Sequence, residues 1–230
     1  LCAKNEEHPS LGFGTVSTHQ QDGIARGTAT VVLLNEGKEN EVILKDHAAA
    51  YYSFSKGESS QDYPSSLMGS IALLRQTYYD AQWYENAKNV AEFNLSLDSW
   101  NKIQDLPQIF DGSNRLSVLR ADKIGDEFGV QYIFKGNGDE YKRLDALKNT
   151  KASFILPLNF PDAYDVADPF DASNVSLSDM KHWELAPSNA SLVQKAGIDF
   201  ALTTADLKDK KAFFKHLQKA IKAGLSKEAA

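Results

Sequence analysis

The sequence predicts an α/β fold built on parallel strands, and three observations carry that prediction. Between Arg115 and Phe160, the apolar runs Leu116–Leu119, Val130–Phe134 and Ser153–Leu158 alternate with the charged, helix-like runs Asp122–Phe128 and Asp139–Leu147. Alternation of this kind argues for strands joined by crossover helices. Composition is that of a folded chain: 230 residues, 42% hydrophobic and 24% charged, enough for one large domain or two small ones. No internal repeat, low-complexity tract or flexible linker is visible, so a single domain over residues 1–230 is the simplest account.

Taken in order, Gly12–His19 reads as a short strand after a glycine turn, and Gln20–Gly27 as a loop. Thr28–Leu34 is dense in β-formers, Asn35–Asn40 is turn chemistry, and Glu41–Lys45 returns as a β run. Together they predict a β-hairpin near residues 28–45. Tyr51–Gly57 is an aromatic loop or strand. Asp62-Tyr-Pro64 opens the clearest helix: Asp62 or a polar neighbour can cap it, and Pro64 suits the first turn. Leu67, Ile71, Leu74, Tyr78 and Ala81 form one stripe, predicting a helix to about Lys88. Ser96 starts a second helix, with Leu97, Trp100, Ile103 and Gln104 in register, ending near Pro107. Beyond the central run, Pro161–Asn174 reads as an irregular loop. Ser176 and Ser188 each begin a helix, Ser176 and Asp179 having capping-box-like spacing. Asp199–Thr204 is the last strand. Asp206 then caps an amphipathic helix that buries Phe213, Phe214, Leu217, Ile221 and Leu225.

Net charge is −6 and no basic stripe appears, which argues against a nucleic-acid partner. No apolar run approaches the roughly 18–20 residues that span a bilayer. The one cysteine, Cys2, can form neither an internal disulfide nor a thiolate metal site. Leu1–Ser10 lacks a basic-then-apolar leader and there is no initiating Met, so the sequence reads as a mature or partial chain.

In parallel sheets chemistry gathers where a strand ends and its loop begins. That singles out Arg120, the Lys135–Gly138 turn and Asn159. Arg120 could bind a carboxylate or phosphate bidentately, or pair with Asp122, Asp139 or Glu140. Lys135 with Gly136, Asn137 and Gly138 could form an anion cradle of one cation and several N–H groups, or a tight strand-to-helix turn. His19 ends a strand where a base or ligand could sit; a lone His is more often a hydrogen-bonded structural residue. His182 reads as structural, and His8, His47 and His216 as surface residues. Asp162, Asp165, Asp168 and Asp171 recur every third residue, in a cation site or a solvated loop. Tyr51, Tyr52, Phe54, Tyr78, Tyr79, Trp83 and Tyr84 could line a pocket or an interface, with half of them core by helical spacing.

Several consecutive pieces resemble the amidohydrolase superfamily, its imidazolonepropionase-like branch in particular. Gly12-Phe-Gly-Thr-Val resembles the family's Gly-Val-Thr-Thr-Val strand, and Asp22-Gly-Ile-Ala-Arg-Gly with Ala29-Thr-Val-Val-Leu its glycine loop and third strand. Ser117-Val-Leu-Arg-Ala is similar to the strand that carries Val-His-Ala. Lys195-Ala-Gly-Ile-Asp-Phe-Ala-Leu-Thr-Thr resembles the Ala-Gly-Val-x-Val-Ala-Leu-Gly-Ser-Asp strand. The resemblance covers most of the chain in the right order.

It implies a (β/α)8 TIM barrel, incomplete here because the first barrel strand would precede Leu1. It also implies a divalent metal such as zinc that activates water for attack on an amide or related carbon. The family's ligand positions hold other residues in this chain. There is no His-x-His, Arg120 stands where a ligand His is expected, Lys135–Gly138 occupies another such place, and Thr203 or Thr204 replaces the final Asp. A guanidinium has no lone pair for a metal. Two functions follow from the resemblance. One is a hydrolase of amide- or imide-like C–N bonds, with Asp206 and His19 as catalytic groups and weak metal ligands. In it Arg120, Lys135, Asn137, Asn159 and Thr204 surround a small-molecule or peptide-like substrate. The other is a non-catalytic barrel serving as a binding or assembly subunit. A homo-oligomer or the remainder of a longer chain is a candidate partner, and the resemblance implies a periplasmic or extracellular place.

Overall fold

A computed structural model describes residues 9, 11–35, 37–87 and 92–230. Cys2, His8 and the expected helix end near Lys88 lie outside the described residues. The chain divides into two compact units, Leu1–Gly112 with Arg120–Ile133, and Ser113–Leu119 with Phe134–Ala230. Among the described residues no helix is long and apolar enough to cross a membrane.

In the first unit four strands are neighbours in chain order: β1 (Thr15–Thr18), β2 (Ala25–Leu33), β3 (Ile43–Ser53) and β4 (Gln108–Asp111). β1–β2 and β2–β3 are antiparallel, so the expected hairpin is present, its turn holding the short helix α1 (Glu39–Val42). β3 and β4 run parallel, Ala50 facing Gln108 and Ser53 facing Asp111. The connection between them carries α2 (Leu67–Ala87) and α3 (Leu95–Lys102). The buried residues of α2 are Ser70, Leu74, Tyr78, Ala81 and Tyr84, spaced by three or four as a one-faced helix requires. Leu67, placed by the sequence on that stripe, is exposed. Asn94 caps α3, its side chain accepting from Leu97 N–H. β4 was not expected: four residues directly after Pro107 are too few to show a period.

The predicted strand Leu116–Leu119 is instead the first part of a helix, α4 (Arg115–Phe128). Asn114 Oδ1 accepts from the N–H groups of Leu116 and Ser117, each at 3.0 Å. Val118, Ala121 and Ile124 are buried at spacings of three. An N-cap and a helical period thus outweigh a local run of β-formers. Arg120 consequently sits exposed in the middle of a helix, not at a strand end.

The second unit holds the end of β5 (Tyr132–Lys135) with β6 (Phe154–Pro157) and β7 (Phe200–Thr203), parallel and again in chain order. Between β5 and β6 lie a 3-10 turn, Glu140–Arg143, and α5 (Leu144–Asn149); between β6 and β7 lie α6 (Pro169–Asn174), α7 (Leu177–Leu185) and α8 (Asn189–Lys195). α9 (Phe213–Lys222) closes the unit. Phe134, Leu147, Phe154, Leu156, Leu158 and Val193 form its core. Ser176 caps α7 as its spacing suggests, accepting from Asp179 N–H at 3.1 Å. Asp206 does not cap the last helix. It occupies a left-handed turn at φ 63°, and Asp209 caps the 3-10 turn that leads into α9. Within the loop read as irregular, Asp168 caps α6 and Pro169 takes its first turn. Asp162 pairs with Lys208 at 3.2 Å. Phe214 is 48% exposed rather than core, and His216 is half-buried rather than on the surface.

Candidate functional site

Three strands of the second unit end in polar residues. Lys135 is the last residue of β5, Asn159 lies two residues past β6, and Thr204 and Asp206 follow β7. Lys135 Nζ meets Asp206 Oδ2 at 2.8 Å, with the Lys135 side chain largely enclosed and Asp206 half-exposed. Asn159 is presented by a tight turn. Phe160 N–H donates to Leu158 O at 3.1 Å, the same carbonyl accepts from His216 Nδ1, and the Phe160 ring stacks on His216 at 5.2 Å. The Asn159 Oδ1 atom is buried with no hydrogen-bond partner. Gly138 lies close to it: a Cβ there would sit 3.7 Å away. Thr203 Oγ1 is committed locally, accepting from Ala205 N–H at 3.1 Å.

The Lys135–Gly138 turn differs from the expected anion cradle. Its amides already hold a carboxylate of this chain. Glu140 Oε1 accepts from Asn137 N–H at 2.8 Å and from Gly138 N–H at 3.3 Å, while Gly136 N–H goes to Ile155 O in the sheet. Glu140 Oε2 accepts from Asn189 Nδ2 at 2.6 Å, and Asn189 Oδ1 accepts from Tyr141 N–H at 2.9 Å. Glu140 is fully buried; burial pushes its carboxyl pKa up, against these donors, which pull it down. A Cβ on Gly136 would lie 2.1 Å from Glu140 Oε1, so a larger residue there would displace the Glu140 carboxyl from its partners. Asp139 accepts from Arg115 N–H at 2.9 Å and pairs with the Arg115 guanidinium. Tyr141 OH meets His182 Nδ1 at 3.1 Å, and burial, then Lys142, lower the His182 pKa. Sequence reading missed Glu140 and Asn189, since a separation of 49 residues hides their hydrogen bond.

In the first unit His19 follows β1, stacks on Tyr51 at 3.8 Å and faces Gln20 O through Nδ1 at 2.7 Å. The same unit contains an ion pair that sequence reading missed because β4 went unseen. Arg26, 8% exposed, donates from Nη1 to Asp111 Oδ2 at 3.0 Å and from Nη2 to Ser55 O at 3.4 Å. Asp111 ends β4, and its carbonyl accepts from Ser53 Oγ, at the end of β3.

These residues do not fit the zinc centre implied by the sequence resemblance. Zinc needs three or four imidazole, thiolate or carboxylate donors converging on one point. At the strand ends of the second unit the named donors include one carboxylate, Asp206, already paired with an ammonium; Asp111 is likewise paired with a guanidinium. Among the described residues no three His, Cys, Asp or Glu side chains gather as a metal would require.

No protein-family model matches the chain, and none of the curated proteins matches it. Among solved structures it is similar to an amidohydrolase from Thermotoga maritima MSB8, with 18% identity and a TM-score of 0.73. The match covers 95% of this chain and 58% of that one. The chain thus shares its fold with that amidohydrolase along nearly its whole length, while spanning little more than half of the other protein.

Proposed function

We propose that this chain belongs to an amidohydrolase-like barrel protein, of the imidazolonepropionase-like kind, that hydrolyses amide- or imide-type C–N bonds. The observation that supports it best is the set of polar groups at the carboxyl ends of β5, β6 and β7: the Lys135–Asp206 pair at 2.8 Å and the unpartnered, buried Asn159 oxygen. A buried acceptor without a partner costs about 1–3 kcal/mol, and a substrate N–H would satisfy it. In this reading Asp206 accepts a proton from the attacking water, and Lys135, 2.8 Å from Asp206 Oδ2, holds that side chain in place. The water oxygen bonds to the acyl carbon, the C–N bond breaks, and the proton returns to the leaving nitrogen. Thr204 and Asn137 contact the substrate, and His19 stays a proton-transfer candidate of the first unit. Arg120 is left out, since it stands mid-helix. The periplasm or cell exterior, one barrel-type domain, and a homo-oligomer or the remainder of a longer chain belong to the same proposal.

The test is turnover of a panel of amides, lactams and imides by the purified protein. Asp206→Asn should lower kcat by about 100-fold or more, and Asn159→Ala should raise KM. Turnover that survives Asp206→Asn unchanged would sink the reading. A second reading, a binding barrel without catalysis, is favoured by the neutralised strand-end charges: Arg26 with Asp111 and Lys135 with Asp206. Saturable, Asn159-dependent binding of an amide without turnover would establish it.

A further inference from the structure

The first unit contains a cavity of about 380 Å3 that uses none of the strand-end residues named above. Its apolar lining is Ile24, just before β2, with Leu73 and Leu74 of α2 and Trp100 of α3. Ile24, Leu74 and Trp100 are buried. Its rim is polar, with Asp22, Ser59, Gln61 and Thr77. The volume lies in the range of small-molecule pockets, and polar and apolar groups share the lining about equally.

Charge selects the occupant. Asp22 is the one charged residue of the lining. Its Oδ1 accepts from Glu58 N–H and its Oδ2 from Gln20 Nε2, each at 3.1 Å. A carboxylate has about four acceptor sites, so two such bonds leave capacity for another donor. Asp22 makes no ion pair among the described residues, unlike Asp111 and Asp206. The rim is also held in place. Gly23 N–H donates to Lys56 O at 3.0 Å. Gly57 lies so close to Gln21 that a Cβ would fall 1.9 Å from its carbonyl oxygen. A pocket whose walls are already ordered loses little entropy on binding.

We infer that this cavity binds a small organic ammonium ion with an apolar body, the ammonium on Asp22 and the body against Ile24, Leu74 and Trp100. The site is independent of the proposed hydrolase reaction and needs no activity to detect. The experiment is titration of the isotope-labelled protein with phenethylammonium, following the Gly23 and Thr77 amide resonances. Saturable shifts are expected, with a Kd on the order of 1 mM. Phenethyl alcohol and phenylpropionate, which share the ring but not the positive charge, should bind at least about tenfold more weakly. Asp22→Asn keeps an acceptor for Glu58 N–H and should erase the preference for the ammonium. Thr77→Trp, which fills the cavity, should abolish the shifts. Equal binding of the three probes overturns the proposal, as does an ammonium preference that survives Asp22→Asn or a titration that never saturates. Circular dichroism checks each variant for folding, and if Thr77→Trp does not fold, Asp22→Asn decides.

Discussion

The two units bury polar groups in different ways. In the first, the core is a cluster of aromatic rings whose hydroxyls answer one another. Tyr52 OH donates to Gln108 Oε1, and Tyr78 and Tyr132 hydroxyls meet, both at 2.7 Å. Their rings pack edge-on or stacked: Tyr52 on Trp100 at 5.6 Å, Phe110 on Tyr132 at 5.4 Å, Tyr78 on Phe128 at 4.6 Å. Burial lifts the Tyr78 pKa to about 12 and raises those of Tyr52 and Tyr132 above the ordinary tyrosine value, so these hydroxyls stay neutral. In the second unit the buried group is a carboxylate, and its partners are main-chain amides and one Asn. The first arrangement depends on ring shape, the second on backbone conformation around Glu140. They should therefore fail to different substitutions.

Removing a ring should do the most damage. Tyr132→Ala is expected to destabilise the protein by about 3–5 kcal/mol through the cavity it leaves, and it also strips Tyr78 OH of its partner. Tyr132→Phe isolates the hydroxyl and should cost about 1 kcal/mol. Urea denaturation of the pair measures the difference; equal losses would mean that the hydrogen bond, not the ring, holds this core. The matching test in the second unit is Gly136→Ala, which adds a single methyl. With Glu140 Oε1 in its way, a loss of about 1–3 kcal/mol is expected. Combined with Glu140→Ala the two losses should fall short of additivity, because they break one arrangement; strict additivity would separate Gly136 from Glu140.

A smaller effect concerns acidity. The Glu140 pKa is raised chiefly by burial, so its share of stability is complete below the unfolded carboxyl pKa and is lost as pH rises through the folded one. Glu140→Gln cannot titrate. The stability gap between wild type and Glu140→Gln should narrow with rising pH, read from urea midpoints across the range; a gap that widens would mean that the carboxylate is the favoured buried form.

Legibility in the sequence follows the same division. The parallel strand runs Val130–Phe134 and Ser153–Leu158 were visible because apolar runs between charged helices have a period. Lys135, Asn159 and Asp206 could be named from their places after such runs, though no spacing shows that Lys135 and Asp206 form an ion pair. In the first unit β4 was hidden by its brevity, and Arg26 and Asp111 with it. The helix at Arg115 was misread as a strand because its cap, Asn114, lay outside the apolar run. The order of the motifs pointed to the amidohydrolase fold, whereas the assignment of Arg120 to a strand end failed with its secondary structure.

The mildest test lies on that misread helix. Asp122 and Asp126 stand one turn apart on α4, and the Asp122 pKa is raised to about 6, first by burial and then by Asp126. A raised carboxyl pKa means that the neutral form is favoured in the folded protein. Its contribution to stability is therefore full below the ordinary aspartate value of 3.8 and is lost as pH climbs through about 6. Because Asp122 is only half-buried, solvent screening keeps the effect modest. Asp122→Asn should match wild type in acid and become slightly the more stable protein above about pH 6, as a small rise in urea midpoint. Asp126→Asn should lower the Asp122 pKa without removing the shift, since burial is the larger cause. If Asp122→Asn and wild type keep one constant difference on both sides of that pH, the titrating carboxyl of α4 is not Asp122, and the helix carries its charge elsewhere.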